Sequence, residues 1–325
     1  MTGTALPHQA AQPSEPDVLV VGSFVVGIVV RTDHLPRRGE TLIGDSYHMG
    51  PGGKGTNAAI AAARSGANVS LVCRVGDDDY ATMAEETLRR EGIAVHSVRR
   101  TPGVSTAVGL VHLDREHENC IAVYPGANDS LSPRDVDQAV ARLGTAPRVV
   151  VCQHEVPADT VSHTVRWANS VGAAVVLNPA PFRSIPSEIL RQVDVLTPNE
   201  GEAHDLYAHA GLDTDDVARR LQRQSGKWVV ITTGRSGCTV AGPEGYFEHM
   251  PAHRVKAVDT TGAGDTFTGA LAAAMATGAD IPTACAWALA AAALSTTGVG
   301  SVDAIPREDE IRALLEQGLK RPATN

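Results

Sequence analysis

The run Val258-Asp259-Thr260-Thr261-Gly262-Ala263-Gly264-Asp265-Thr266-Phe267-Thr268-Gly269-Ala270 has the residue types and spacing that come nearest to chemistry. A Gly-Ala-Gly turn feeding a helix would expose backbone N–H groups at the positive end of the helix dipole, where a phosphoryl oxygen can approach without meeting side chains. Asp265, at the junction, could take the proton of a hydroxyl brought up to that phosphate. The same residues would equally form an N-cap and a tight turn. They fail the dinucleotide fingerprint, because Phe267 stands where a third glycine is needed.

A second glycine cluster, Met49-Gly50-Pro51-Gly52-Gly53-Lys54-Gly55-Thr56-Asn57, also precedes a helical pattern. Lys54 is followed by Gly55 rather than Ser or Thr, so the magnesium ligand of a P-loop is absent and a P-loop NTPase is disfavoured. Gly53 would let backbone approach a ligand closely, and Lys54 and Asn57 carry groups suited to sugar hydroxyls. A glycine turn before an alanine-packed helix is the alternative. The third segment, Thr197-Pro198-Asn199-Glu200-Gly201-Glu202, follows an apolar run. Its Asn199 and Glu202 could face the carboxyl edge of a sheet, with Glu202 holding the waters of magnesium near ATP, or could simply cap a helix.

These segments need a scaffold, and the hydrophobic pattern supplies one. Apolar, β-branched runs at Asp17 to Gly22, Val69 to Cys73, Arg148 to Cys152, Ala173 to Leu177, Val193 to Leu196 and Trp228 to Thr232 mostly alternate with stretches of helical spacing. That order predicts an α/β fold, a doubly wound and mostly parallel sheet with helices on both faces. Helices are expected over Gly55 to Ser65, Tyr80 to Glu91 and Thr266 to Thr277, each stopped by a glycine. Phe24 to Thr32, Thr41 to Met49, Ser105 to Leu113 and Cys120 to Tyr124 read instead as a small antiparallel sheet that projects as a lid. One domain over 17–318 is expected, its lid formed by about 24–50 and 104–125, with tails at 1–16 and 319–325.

Composition excludes several functions. The 325 residues carry 28 Lys+Arg against 37 Asp+Glu, a net charge of −9 without a basic cluster, which disfavours nucleic acid as a partner. The five cysteines lie far apart without a C-x-x-C pair, so neither a disulfide framework nor a zinc site is indicated. No apolar run is long enough to span a bilayer, and the first residues lack a signal-peptide pattern. A cytoplasmic protein is expected.

The three segments in this order on an α/β chain resemble the ribokinase family of carbohydrate kinases, also called the PfkB family. The resemblance runs from about Asp17 to Leu315 and includes Gly22-Ser23, Gly39-Glu40-Thr41, Arg64-Ser65-Gly66-Ala67, Gly76-Asp77-Asp78, Gly126-Ala127-Asn128 and Asn178-Pro179-Ala180-Pro181. It implies an ATP-dependent kinase acting on a hydroxymethyl group of a small sugar or sugar derivative. Asp265 would be the base, and Gly262, Ala263 and Gly264 would form the anion hole for the transferred phosphoryl group. Asn199, Glu202, Thr232, Gly234, Arg235 and Gly264 would serve ATP and magnesium. Gly53, Lys54, Asn57, Glu155 and Asp265 would contact the sugar. A potassium site would match Asp259, Thr261, Ala293, Thr296, Gly298 and Ser301. By the same analogy the lid would pair two copies into a homodimer through Val104 to Leu113 and Ile121 to Tyr124.

The chain departs from ribokinase after its first strand, where Val25 and Gly27 replace the Asn and Asp that hold sugar hydroxyls. Ribose in the usual pose should therefore bind poorly, with Asp45, His48, Asp33 and His112 as candidate replacements on the lid. A nucleoside kinase and a non-catalytic sugar or nucleotide sensor are the other readings.

Overall fold

The structure, a computed structural model, describes residues 16–116, 118–207 and 212–320. Most of the two expected tails lies outside the described residues. β1 (Val18–Val21) leads to β2 (Val25–Arg31), β3 (Ser46–Gly52), α1 (Lys54–Arg64), β4 (Val69–Gly76) and α2 (Asp79–Arg90). Next come β5 (Val98–Thr101), β6 (Ala107–Leu113), β7 (Asn119–Tyr124), α3 (Pro133–Val140), β8 (Val149–Gln153) and α4 (Ala158–Ser170). β9 (Ala174–Asn178), α5 (Ser187–Leu190), β10 (Val195–Leu196), α6 (Glu200–Tyr207), α7 (Thr214–Ser225) and β11 (Trp228–Thr232) continue the chain. It ends with β12 (Cys238–Ala241), β13 (Phe247–Met250), α8 (Ala263–Ala276), α9 (Ile281–Ser295) and α10 (Glu308–Lys320).

Nine strands form one sheet in the order β13-β12-β11-β10-β9-β8-β1-β4-β5. Its central strands are parallel and its β11-β12-β13 edge is antiparallel. The valine-rich runs of β1 and β8 are buried throughout, as strands covered on both faces must be. Leu71, Phe267 and Ile311 belong to the core on one face, and Val136, Val165 and Leu221 to the core on the other.

The lid is a separate sheet in the order β3-β2-β6-β7. It is mixed rather than wholly antiparallel, because β2 and β6 run parallel. The pattern predicted β3 over 41–49, but residues 41–45 are not strand, and pairing with β2 begins at Ser46. β6 is hydrogen-bonded on both sides, so the open edges belong to β3 and β7, and β6 has no free edge for a second copy.

Two helices bring the chemistry together. A Cβ at Gly269 would overlap the Ala58 carbonyl, so a missing side chain lets α8 approach α1. Gly269 lies one turn beyond Asp265, and Ala58 follows Asn57, which brings Asn57 Nδ2 within 2.8 Å of Asp265 Oδ2. Gly269→Ala should therefore destabilise the protein despite its better helix propensity. Overpacking costs about 1–3 kcal/mol against a propensity gain of about 1 kcal/mol. A lower urea midpoint at unchanged m is the expected result.

Candidate active site

The two glycine clusters end differently, and the hydrogen bonds at the two helix starts separate them. At α1 the four first amides are satisfied within the protein. Lys54 N–H donates to Glu155 Oε2 at 2.8 Å and Gly55 N–H to Ser23 Oγ at 3.1 Å. Thr56 N–H donates to the Ser23 carbonyl at 2.9 Å and Asn57 N–H to the Gly53 carbonyl at 2.8 Å. Ser23 Oγ in turn donates to Glu155 Oε2 at 2.5 Å. This helix start holds no open anion site. Ser23 falls in the Gly22-Ser23 match, but the sequence assigns it no role, because its partners are distant in the chain.

At α8 the helix begins at Ala263, earlier than the Thr266 that the pattern predicted. Gly262, at φ 76°, is the N-cap, in a backbone conformation that favours glycine. Asp265 is thus the third helical residue rather than the cap. Ala263 N–H turns to the Thr260 carbonyl at 3.2 Å. The amides of Gly262, Gly264 and Asp265 find no acceptor among the described residues. Open amides at a helix N-terminus can receive an anion.

Asp265 is buried beside them. Lys54 Nζ lies 3.5 Å from its Oδ1, and this carboxylate holds the Lys54 ammonium above its ordinary lysine range. Asn57 Oδ1, Asn178 Oδ1 and Thr266 Oγ1 are buried without a hydrogen-bond partner among the described residues, leaving polar capacity unused. Glu155 is half-buried, and desolvation raises its carboxyl above the usual range, opposed by the Ser23 hydroxyl and Lys54. Gln153 Oε1 accepts from Glu155 N–H at 2.8 Å, which fixes this turn.

Asn199 and Glu202 cap each other. Asn199 N–H donates to Glu202 Oε2 at 2.9 Å, and Glu202 N–H donates to Asn199 Oδ1 at 2.8 Å. Both line a cavity of about 470 Å³ that also contains Lys54, Thr232, Gly234 and the Gly262 to Asp265 turn. A second cavity of about 520 Å³ opens from it past Thr260 and Gly264 and includes Arg235, His253, Phe267, Leu289 and Thr296. Its largely apolar walls suit a flat base. Ala293 and Thr296 are among the expected potassium positions, whereas residues 252–255, Leu289 and Ala292 carry no motif, which is why sequence reasoning did not find them.

On the other side, a cavity of about 680 Å³ lies under the lid, and Thr260 lines this one too. Gly27 lines it, as do His48 and Ser301. Ser301 packs on the anion turn, since a Cβ at Gly262 would lie 3.1 Å from its Cβ. Of the lid residues considered as replacements for the missing carboxylate, only His48 lines this cavity. Asp33 pairs with Arg115 at 2.9 Å, Asp45 accepts from Ser46 Oγ at 3.1 Å, and His112 alternates to the outer face of β6.

Among the described residues no group of three or more His, Cys, Asp or Glu gathers to hold a metal. A magnesium ion carried by phosphates needs only an outer carboxylate, and Glu202 fits that use. Of the potassium positions, Asp259, Thr261, Ala293 and Thr296 take part in internal hydrogen bonds. Thr296 carbonyl accepts from Val258 N–H at 2.7 Å and Asp259 N–H at 3.2 Å. Ala293 carbonyl accepts the Thr296 amide at 3.2 Å and its hydroxyl at 2.7 Å. Asp259 accepts from Thr261 N–H at 2.9 Å and Gly300 N–H at 3.1 Å. These contacts hold the 296–301 loop against the strand-to-helix connection, and Gly298 packs on Ala304.

His154 adds a pH dependence. Burial, aided by the Arg183 guanidinium, pushes its imidazole down to about 4. The unfolded chain takes up a proton near 6.5 while the folded protein stays neutral, so stability falls as pH drops from about 6.5 to 4 and then levels off. The full loss is on the order of 3 kcal/mol. His154→Gln should flatten this part of a urea-midpoint profile.

Comparison with known proteins agrees with the geometry. Residues 15–308 match the pfkB family carbohydrate kinase model. The ribokinase of Bacillus subtilis is 36% identical over 301 residues, which cover 92% of this chain and 99% of that protein. The deoxyribokinase of Salmonella typhi is 34% identical over 304 residues, with 92% and 98% covered. The structure of Arabidopsis thaliana ribokinase complexed with ribose and ATP superposes with a TM-score of 0.84 at 27% identity, covering 93% of this chain and 99% of that one. This chain belongs to the pfkB family of carbohydrate kinases, as an ATP-dependent sugar kinase of the ribokinase type.

Proposed function

We propose that this kinase transfers the γ-phosphoryl group of ATP to the hydroxymethyl group of a sugar derivative, with Asp265 as the base. The observation that carries this reading is the buried Asp265 carboxylate beside the open amides of the α8 N-terminus, lining one cavity with Lys54, Asn199 and Glu202 that shares Thr260 with the lid cavity and with the largely apolar one. ATP would lay its base near His253 and Leu289, with Thr232, Gly234 and Arg235 along its edge. Its phosphates would reach Gly264. The acceptor hydroxyl would give its proton to Asp265 as its oxygen attacks phosphorus and ADP leaves. Lys54 and the amides of Gly262, Gly264 and Asp265 would stabilise the charge on the transferring oxygens. Magnesium, held on the phosphates with Glu202 against its waters, would supply charge neutralisation.

Gly53, Lys54, Asn57 and Glu155 border the acceptor, with Glu155 also serving as the trans cap of α1. Free ribose is a poor acceptor in this reading, because Gly27 offers no carboxylate to its hydroxyls. A homodimer through the lid is supported by Tyr47, Met49, Leu110 and Tyr124, exposed apolar residues on the lid face turned away from the cavity, with β3 and β7 as the free edges. The cytoplasm, which supplies ATP, suits a chain whose five cysteines are unpaired. No helix among the described residues is long and apolar enough to cross a membrane.

The test is a coupled ADP-release screen over pentoses, hexoses, sugar acids and nucleosides. Acceptor-dependent ADP release that fails in Asp265→Asn is expected. Equilibrium sugar binding without ADP release from any acceptor would favour the sensor reading instead.

A further inference from the structure

Alternation along β3 turns Tyr47 and Met49 outward, and His48 and Gly50 toward the body of the protein, where both line the lid cavity. Across the ladder Val29 stands beside His48, and Gly27 beside Gly50. The body side of this cavity is polar, with Asp259 and Asp303 in its wall. On the lid side, His48 and Arg31 are the cavity-lining side chains able to hydrogen-bond a sugar hydroxyl, since the others are hydrocarbon. Arg31 lies far from Gly27 along β2, about 13 Å at ~3.3 Å per residue. His48 lies close.

The imidazole is directed back along its own strand. A Cβ built at Gly50 would lie 3.0 Å from His48 Nε2, and one built at Gly300 would lie 3.8 Å from the same nitrogen. Nε2 therefore sits over the register partner of Gly27 and against the loop whose next residue, Ser301, packs on Gly262 of the anion turn. Asp259 holds that loop by accepting from Gly300 N–H at 3.1 Å. Neither ring nitrogen of His48 has a hydrogen bond or ion pair among the described residues. Glycine at position 50 has no conformational cause, because its φ is not positive as that of Gly53 is. The imidazole occupies the space that a side chain there would take. A side chain at position 27 would rise from the same face of the sheet, about 5 Å away.

We propose that His48 Nε2 binds an acceptor hydroxyl in the place left by the missing carboxylate at position 27, and that Gly50 is the residue that gives the imidazole room. This rests on the kinase reading above. One ring nitrogen makes a single hydrogen bond where a carboxylate can take two, so free ribose keeps only part of the hold that Asp at position 27 would give it.

The experiment measures kcat/KM for D-ribose by ADP release in the wild-type protein, in His48→Ala, Gly50→Ala and Gly27→Asp, and in each of the last two combined with His48→Ala. His48→Ala should lower kcat/KM about five- to tenfold, the worth of one hydrogen bond, through KM for ribose and with KM for ATP and the urea midpoint unchanged. Gly50→Ala should give a loss of similar size, because its methyl group displaces the imidazole, and should add nothing once His48 is alanine. With Asp at position 27, the loss from His48→Ala should shrink to within about twofold, because the carboxylate then holds the same hydroxyl. Unchanged ribose kinetics in His48→Ala, or an equal loss with Asp at position 27, would overturn the assignment. A readout without turnover is the histidine ring-proton resonance that disappears in His48→Gln, which should shift on titration with D-ribose beside a non-transferable ATP analogue. Absence of that shift would overturn the contact whether or not ADP is released. The shift with no ADP release from ribose or any other acceptor screened would keep the contact and count against the kinase reading instead.

Discussion

Asp265→Asn is expected to lower kcat for acceptor phosphorylation by about 10²–10⁴-fold, the range associated with a positioned general base. Asparagine matches the size of the aspartate and keeps an oxygen for the Asn57 amide, which donates to Asp265 at 2.8 Å. It loses the charge that draws Lys54 Nζ to within 3.5 Å and the ability to take up the hydroxyl proton. Because the Lys54 side chain is 30% exposed, the lost ion pair should change folding stability little. The expected signature is therefore a fall in kcat with KM for ATP nearly unchanged and the urea midpoint preserved, read by steady-state kinetics and equilibrium unfolding. A large shift in KM for ATP with kcat retained would assign Asp265 to nucleotide binding instead.

Gly27→Asp should move the enzyme in the opposite direction for free sugars. Its backbone does not adopt a positive φ, and the nearest atom to a new Cβ is the Gly50 carbonyl at 3.8 Å, so the side chain fits. Hydrogen bonds to a charged group contribute roughly 1.5–3 kcal/mol. After the desolvation of the new carboxylate is taken into account, kcat/KM for ribose should rise about 10–100-fold, mostly through KM. Unchanged ribose kinetics would mean that position 27 does not face the sugar.

The parallel core was legible in the sequence because its strands are buried on both faces and their composition says so, as in Val18 to Val21 and Val149 to Gln153. Helices with glycine stops, such as α1 and α2, were legible for the same local reason. The antiparallel β12-β13 edge was not, because β12, though buried, is only four residues long and β13 is largely exposed and lacks that apolar continuity. β3 starts late because its pairing is set by β2 rather than by its own residues.

In the site, the sequence identified Asp265 but not its place in α8. The motif reads as a turn, yet positive φ at Gly262 lets the helix begin at once. The two glycine clusters look alike in sequence and differ in what lies opposite them. Ser23 and Glu155 occupy the amides of α1, while nothing in the described chain occupies those of Gly264 and Asp265. Such partners, separated by 32 and 101 residues, leave no trace in local spacing. The potassium positions illustrate the converse. Their residue types match the family, while the hydrogen bonds that the carbonyls of Ala293 and Thr296 accept from neighbouring amides and a hydroxyl are visible only in the fold.

The central claim is that phosphate passes from ATP to a primary hydroxyl at Asp265, and proton-coupled phosphorus NMR of the reaction with its preferred acceptor tests it most directly. A new monoester signal split into a triplet by the two hydroxymethyl protons, growing as ADP appears and absent with Asp265→Asn, is the expected result. A doublet from phosphate on a secondary or anomeric oxygen, or release of inorganic phosphate alone, would contradict it.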